Sequence, residues 1–322
     1  MFADAARRRP GSLALFLALA LTALPWSAAS FGTINSLGQH AEHEKITRLA
    51  LAPLGFEAGT LDEIAGKTGT FGAVGAPDNP ARGLLTSSAA HCDGGDYLAV
   101  PGYPQAEGAA QAALYACRQW TLDALETAVR AAAGLIDANG RVRDSEIPGF
   151  IPCVYDGGPG RAKCEVLDAL GLALHAAQDF YAHTNWTDRT AGALSLANPP
   201  GLGQPGPADF INPFAPGGIP SGLMSGCFEG VPESLFCDGR VRHEVLNKDT
   251  GQIKVKSGAI GAGSTPRASG NDNFARAVRA AIADSQQKWA YFEARVIASY
   301  GTERGNRMLC AVKRDDPVRT CR

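Results

Sequence analysis

The sequence predicts an all-α fold, a single helical-bundle domain with long loops stapled by disulfides. Three observations lead there. Apolar residues recur at the helical period in four long segments, whereas no alternating apolar and polar run exceeds about five residues. The 38 glycines and 20 prolines among 322 residues exceed an ordinary combined share of roughly 12%, which demands loops. A hydrophobic content of 45% excludes a disordered chain.

Taken in order, residues 1–30 read as a cleaved secretory peptide rather than as fold. Arg7-Arg8-Arg9 form a basic start, residues 13–24 an apolar run, and Ala28-Ala29-Ser30 a small-residue cleavage site. The mature chain then begins at Phe31, with Ser30 as the alternative. An apolar run of about twelve residues falls short of the roughly 20 that span a bilayer, so no transmembrane anchor is expected. The expected location is secreted, extracellular or periplasmic. Residues 31–322 form the single domain.

Within it, residues 41–53 place Ile46, Leu49 and Leu51 at helical spacing and stop at Pro53. A longer helix is predicted over 109–138, with Leu114, Trp120, Leu122, Leu125, Val129 and Leu135 on its apolar positions and Asn139-Gly140 as its end. The segment 164–182 is apolar on nearly all sides and should be a buried central helix. A fourth helix is predicted over 272–300, ending at Gly301. About 80 residues rich in Gly, Pro, Asn and Ser separate the third helix from the fourth, a length that in a compact domain calls for function or stapling.

Eight cysteines in an exported chain favour disulfides. Proximity pairs Cys153 with Cys164, Cys227 with Cys237 and Cys310 with Cys321, which leaves Cys92 with Cys117. These bridges should tie down loops rather than join helices. A thiolate zinc site is the rival reading, and the absence of any C-x-x-C argues against it. The net charge of -2, with basic clusters that lack interleaved aromatics, excludes a polynucleotide-wrapping surface and makes nucleic acid the less favoured substrate.

The chemistry gathers on histidine and aspartate. His175, Asp179 and His183 stand at i, i+4 and i+8 on the buried helix, within an arc of about 80°. Two imidazoles and a carboxylate inside an apolar helix must be paired or must hold a metal. His175 and His183 are about 12 Å apart along the axis, so Asp179 between them would bridge two ions rather than complete one site. A hydrogen-bonded His-Asp-His network is the equal alternative for this motif alone. Other positions favour metal. GAPDNP supplies Asp78, SAAHCDGGDY supplies His91 with Asp93 and Asp96 alongside, LGQHAEHEKIT supplies His40 and His43, and RHEVLNKD supplies His243 and Asp249. Imidazole with carboxylate and no thiolate suits catalytic zinc.

The stretch LGLALHAAQDFYAHTNW, residues 170–186, resembles the signature helix of the Het-C heterokaryon-incompatibility proteins and of secreted CinY-like bacterial proteins. Both are similar to the superfamily of zinc-dependent phospholipase C and single-strand nucleases. The resemblance implies an all-helical exported domain with up to three zinc ions. It implies as ligands the Phe31 amine, His43 in preference to His40, Asp78, His91, His175, Asp179, His183, His243 and Asp249. Two departures stand out: three residues, not five, separate Asp179 from His183, and position 247 is Asn where the late H-x3-E or H-x3-D motif has a carboxylate. Either Asp249 supplies that carboxylate or the late site is weakened.

A complete site implies phosphodiester hydrolysis by metal-activated water, with Asp78 as general base and a phospholipid as substrate. Phe180, Tyr181 and Trp186 are expected to be packing residues. The sequon at Asn185 abuts the site and is set aside. The other class of reading is a non-catalytic secreted protein of the same fold that acts by binding.

Overall fold

The computed structural model describes residues 31–35, 39–67, 70–149 and 151–322. The expected signal peptide lies outside these described residues. Among the described residues eleven α-helices and one hairpin follow in order: α1 (Glu42–Leu51), α2 (Ala58–Ala65), α3 (Ser88–His91), α4 (Glu107–Ala132), α5 (Ala162–His183), α6 (Glu233–Phe236), α7 (His243–Leu246), β1 (Gly251–Lys254), β2 (Ala259–Gly263), α8 (Pro266–Ser269), α9 (Asn273–Tyr300), α10 (Thr302–Lys313) and α11 (Pro317–Thr320). The chain is mostly helical. It is not all-α, because β1 and β2 pair as an antiparallel hairpin. Four and five residues are too few to leave a readable alternation in the sequence.

Helix α5 is the axis of the domain and packs against α4, α9, α3 and α2. Only Glu165, Asp168 and Leu172 of its residues escape burial, which is why its sequence is apolar all round. One core cluster surrounds its first half, with Leu51, Ile64, Leu125, Leu167, Leu170, Trp289, Phe292 and Val312. A second surrounds its last turns, with Phe31, Ile46, Phe180, Tyr181, Phe210 and Phe274. Phe180, Tyr181 and Trp186 are packing residues of that second cluster, as expected. His175 stands between Leu174 of the first cluster and Ala176 of the second.

Gly171 lets α5 approach the 71–75 segment. A Cβ there would meet the Ala73 carbonyl carbon at 2.3 Å and its oxygen at 2.4 Å. Backbone cannot step aside as a flexible side chain can, so Gly171→Ala should destabilise the fold by about 3 kcal/mol, the upper end of overpacking costs. Urea unfolding of the variant checks this, and a loss under about 1 kcal/mol would contradict the tight contact.

The predicted helices correspond to α1, α4, α5 and α9, with one boundary to correct. Helix α4 ends at Ala132 rather than 138, and the chain tightens into a 3-10 turn over Ala133–Leu135. Gly140, at φ +76°, serves the turn of an Ile136 to Val142 bridge rather than a helix end. Gly301, at φ +80°, does end α9. Helices α2 and α10 and the four-residue α3, α6, α7, α8 and α11 were not predicted. In α10 the buried residues Gly305, Met308, Leu309, Ala311 and Val312 keep helical spacing, but a mid-helix glycine reads as a break. Gly305 is there because α9 is too close for more: a Cβ would lie 2.8 Å from Ile297 Cδ1 and 3.1 Å from its Cα.

All four disulfides pair as proximity predicts. Cys92–Cys117 corrects the expectation of loop ties alone, since it spans 25 residues and joins the end of α3 to α4. The long insertion is well tied. Asn185 is fully buried, its Nδ2 donates to the carbonyls of Pro200 and Gly222, both at 2.8 Å, and its Oδ1 accepts from Met224 N at 3.0 Å. A residue so engaged cannot carry a glycan. Among the described residues no helix is long and apolar enough to cross a membrane.

Candidate metal centre

The sequence places its acidic and imidazole side chains on α1, α3, α5 and α7 and in the turns beside them, and the fold brings these segments together. His43 is the second residue of α1, whose buried positions 43, 46, 47 and 50 form one face. His91 ends α3, a helix capped at its start by Ser87 and at its end by Cys92, which takes φ +57°. The disulfide on Cys92 fixes that corner. His175, Asp179 and His183 follow one another down α5, and His243 opens α7. Asp78 ends the short turn Ala76–Asp78, and Asp249 lies just before β1.

Asp179 lies at the centre. Its Oδ1 is 3.1 Å from His43 Nε2, and its Oδ2 is 3.0 Å from both His91 Nδ1 and His175 Nε2. Asp78 Oδ1 approaches the same two rings at 3.9 and 4.0 Å. The rings of His43 and His175 stack at 4.3 Å. Further along, His183 Nε2 is 3.3 Å from Asp249 Oδ1, and His243 Nε2 is 3.7 Å from Asp249 Oδ2. Asp93 Oδ1 stands 3.1 Å from His183 Nδ1. Among the described residues three sets have ligand atoms close enough to share a cation: His43, His175 and Asp179; Asp78, His91 and His175; Asp93, His183 and His243.

Hydrogen bonds on the outer side fix the five rings. His175 Nδ1 donates to the Val74 carbonyl at 2.8 Å, His91 Nε2 to that of Leu84 at 3.2 Å and His183 Nδ1 to that of His91 at 2.7 Å. His43 Nδ1 donates to Gln178 Oε1 at 2.7 Å; Gln178 Nε2 is committed to Thr47 and Ser285, so its oxygen must face the ring. His243 Nδ1 donates to Glu233 Oε1 at 3.2 Å. Each imidazole therefore turns its other nitrogen inward, the arrangement that orients metal-ligating histidines. The inward nitrogens of His91 and His175 lie 3.0 Å apart. Two lone pairs at that distance, beside a carboxylate oxygen, repel unless a proton or a cation sits among them. His43 Nε2, His183 Nε2, Asp93 Oδ1, Asp179 Oδ1 and both oxygens of Asp249 are buried without hydrogen-bond partners. Orphaned donors and acceptors so concentrated are what a bound cation would satisfy. The donor set, imidazole and carboxylate, fits zinc.

Electrostatics agree. Burial alone would raise the Asp179 carboxyl, yet the imidazoles of His175, His183 and His43 hold it well below the usual range. Burial works against protonation of His91, but its hydrogen bond to Asp179 and the charge of Asp78 push it up to about 9. Burial likewise opposes protonation of His183, and Asp93, Asp179 and Asp249 overcome it. Burial prevails at His175, which is lowered. The compartment attracts positive charge.

Most of the predicted ligands converge. His43, Asp78, His91, His175 and Asp179 form one group, and His183, His243 and Asp249 a second, joined through His91 and Asp93. Phe31 is fully buried edge-on to His43 at 5.8 Å, and the Gly32 amide donates to the Asp249 carbonyl at 3.2 Å. The expected start of the mature chain thus abuts the cluster; an amine ligand there requires cleavage before Phe31, outside the described residues. His40 is exposed and stays outside. Asn247 does not face the cluster. Its Oδ1 accepts the Asp249 amide at 2.8 Å and so orients the carboxylate that reaches His183 and His243.

Gln178 and Glu233 were missed by sequence reasoning, and Asp93, noted beside His91, was left out of the expected ligands. Asp93 follows His91 by two residues, but only the left-handed turn at Cys92 aims it inward. Gln178 and Glu233 act through tertiary contacts that leave no spacing signal. Asp96, noted beside Asp93, is taken by Arg240 at 2.6 Å and by the Tyr103 hydroxyl. No family model, curated protein or solved structure matches the chain.

Proposed function

We propose that the protein is a secreted zinc-dependent phosphodiester hydrolase of phospholipase C type. What supports this reading above all is the set of inward ligand atoms, buried and without partners, on His43, Asp179, His183 and Asp249. Four disulfides accord with export.

His43, Asp78, His91, His175 and Asp179 would hold the ions on one side, and His183, His243 and Asp249 on the other. Zinc bound there would act as a Lewis acid toward phosphate oxygens and lower the pKa of a bound water to about 7. Asp78 stands at the more open edge of the compartment, its Oδ2 accepting from the Thr33 hydroxyl. It would orient the attacking water and take its proton through Oδ1. Asp179, held anionic by three imidazoles, would stay a bridging charge rather than a base. Between α6 and α7 a cavity is lined by Leu196, Arg240, Arg242 and Val245, with exposed Leu235 and Phe236 on α6.

The complete burial of His43, His175 and Asp179 favours a second reading, a non-catalytic protein stabilised by its metal. Metal analysis with hydrolysis of phosphatidylcholine and of single-stranded nucleic acid separates the two. Asp78→Asn should keep most of the zinc while turnover falls by roughly 10²-fold or more, the span of a lost general base. Zinc binding without hydrolysis of either substrate would leave the second reading standing.

A further inference from the structure

We propose that the 190–198 loop and α6 with its flanks form a docking surface for a zwitterionic phospholipid bilayer, seating the long insertion against choline headgroups. This adds a partner to the phospholipid reading above, and it holds whether or not the metal compartment is catalytic.

Sequence and exposure single out this face. From Thr190 to Phe228 one residue in 39 is charged, Asp209, against 19% of the whole chain. Residues 191–197 are all exposed, and none of them carries a charge. Leu194 is 62% exposed and Leu196 38%; on the second loop Val231, Leu235 and Phe236 are 46%, 70% and 49% exposed. The two loops meet, because Leu196 and Ala197 share the walls of a cavity of about 270 Å³ with Ser234 and Cys237, the residues that bracket Leu235 and Phe236. A lone exposed leucine is ordinary on a soluble protein, whereas five large apolar side chains around one cavity mark a contact surface.

Area and charge together choose the occupant. The five side chains offer on the order of 450 Å² of exposed surface, short of the roughly 800 Å² per partner that a stable protein interface buries. Insertion into a bilayer needs no matching partner surface, and its strength grows with the apolar area buried. The charges around the patch favour choline over an anionic headgroup. Arg240 is committed to Asp96 and Glu229, and Arg242 to Glu244 at 2.9 Å. Both guanidinium charges are thereby neutralised, while Glu229, Asp238 and Glu244 stay exposed around the cavity. Such a rim repels anionic lipid and attracts the trimethylammonium groups outermost on phosphatidylcholine. Helix α6 turns Glu233 inward to His243 and Leu235 and Phe236 outward. A bilayer seated on it would lie one short helix from the metal compartment.

The test is sedimentation with phosphatidylcholine vesicles. Wild type should bind, and the double variant Leu194→Glu, Leu235→Glu should partition about tenfold more weakly or worse at an unchanged melting temperature. Ile151→Glu, at a position as exposed as Leu235 but beside Cys153, should bind as wild type does. Vesicles containing phosphatidylserine should hold wild type less well than phosphatidylcholine alone, and added salt should narrow that difference. Should the double variant fail to fold, Leu235→Trp decides instead: its added emission should shift to the blue on phosphatidylcholine vesicles. Equal partition of wild type and double variant, or an unshifted Leu235→Trp, would overturn the proposal, as would a wild type that dimerises through these leucines and binds no vesicle. Cleavage of a monomeric short-chain phosphatidylcholine is scored separately. A wild type that binds vesicles and cleaves nothing keeps the docking surface and removes the hydrolase reading, whereas one that cleaves the soluble lipid but binds no vesicle does the reverse.

Discussion

Asp179→Asn should strip the protein of most zinc in the compartment it bridges and lower the melting temperature by about 5–10 °C. Asparagine keeps the shape of the side chain, so packing along α5 is preserved and the effect isolates the charge. At present one carboxylate, fully buried, meets three inward nitrogens at 3.0 to 3.1 Å. After substitution an amide group replaces one oxygen, and at least one imidazole nitrogen faces an NH2 that is neither a ligand nor a counter-charge. Removing one partner from a buried charge network costs on the order of 3–5 kcal/mol, and the loss of bound metal adds about 2.7 kcal/mol at a hundredfold excess over Kd. Calorimetry with and without chelator separates the two parts, because the chelator should shift wild type far more than the variant. His40→Ala, an exposed position outside the cluster, is the control and should move neither zinc content nor melting temperature. An Asp179→Asn protein with wild-type zinc and an unshifted transition would refute the bridging role.

How much of this was legible in the sequence depends on the kind of interaction. The His175, Asp179 and His183 spacing reads directly because one helix sets it. The disulfides read correctly because three of the four close loops of ten or eleven residues, where proximity in the chain is proximity in space. Helix α10 stayed hidden behind Gly305, whose reason for being glycine is Ile297 on another helix. The hairpin stayed hidden because its strands are too short to alternate and are held by tertiary contacts, among them Glu42 Oε1 accepting the Gly251 amide at 2.8 Å. Glu233 was invisible for the same reason, since a disulfide-bracketed loop directs it, and Asp93, though noted beside His91, could not be aimed at the cluster without the left-handed turn at Cys92.

The insertion also carries a buried charge cluster that should be the most costly to break outside the metal compartment. Asp188 is fully buried and faces two cations: Lys248 Nζ lies 3.0 Å from Oδ1, and Arg267 Nε donates to Oδ2 at 2.7 Å. Lys248 is itself fully buried, and its remaining protons go to the carbonyls of Thr184 and Leu246 at 2.9 and 2.8 Å. Burial depresses its pKa, with Asp188 opposing. Asp188→Asn therefore leaves two buried cations with no counter-charge, and unfolding should become easier by about 4 kcal/mol or more. Lys248→Met removes a cation instead. The Asp188–Arg267 pair then balances, and the loss should be smaller, about 1–3 kcal/mol for two carbonyls without their donor. The order of the two variants carries the point, because a merely structural hydrogen-bond network would rank them alike. Urea unfolding of both measures it, and equal losses would refute the two-cation account. Lys248 also precedes Asp249 directly, and its bonds to Thr184 and Leu246 anchor the backbone that presents that carboxylate to His183 and His243. Loss of the Asp188 charge should therefore weaken zinc binding at Asp249 as well, so that chelator sensitivity rises in Asp188→Asn even at temperatures where the fold still holds.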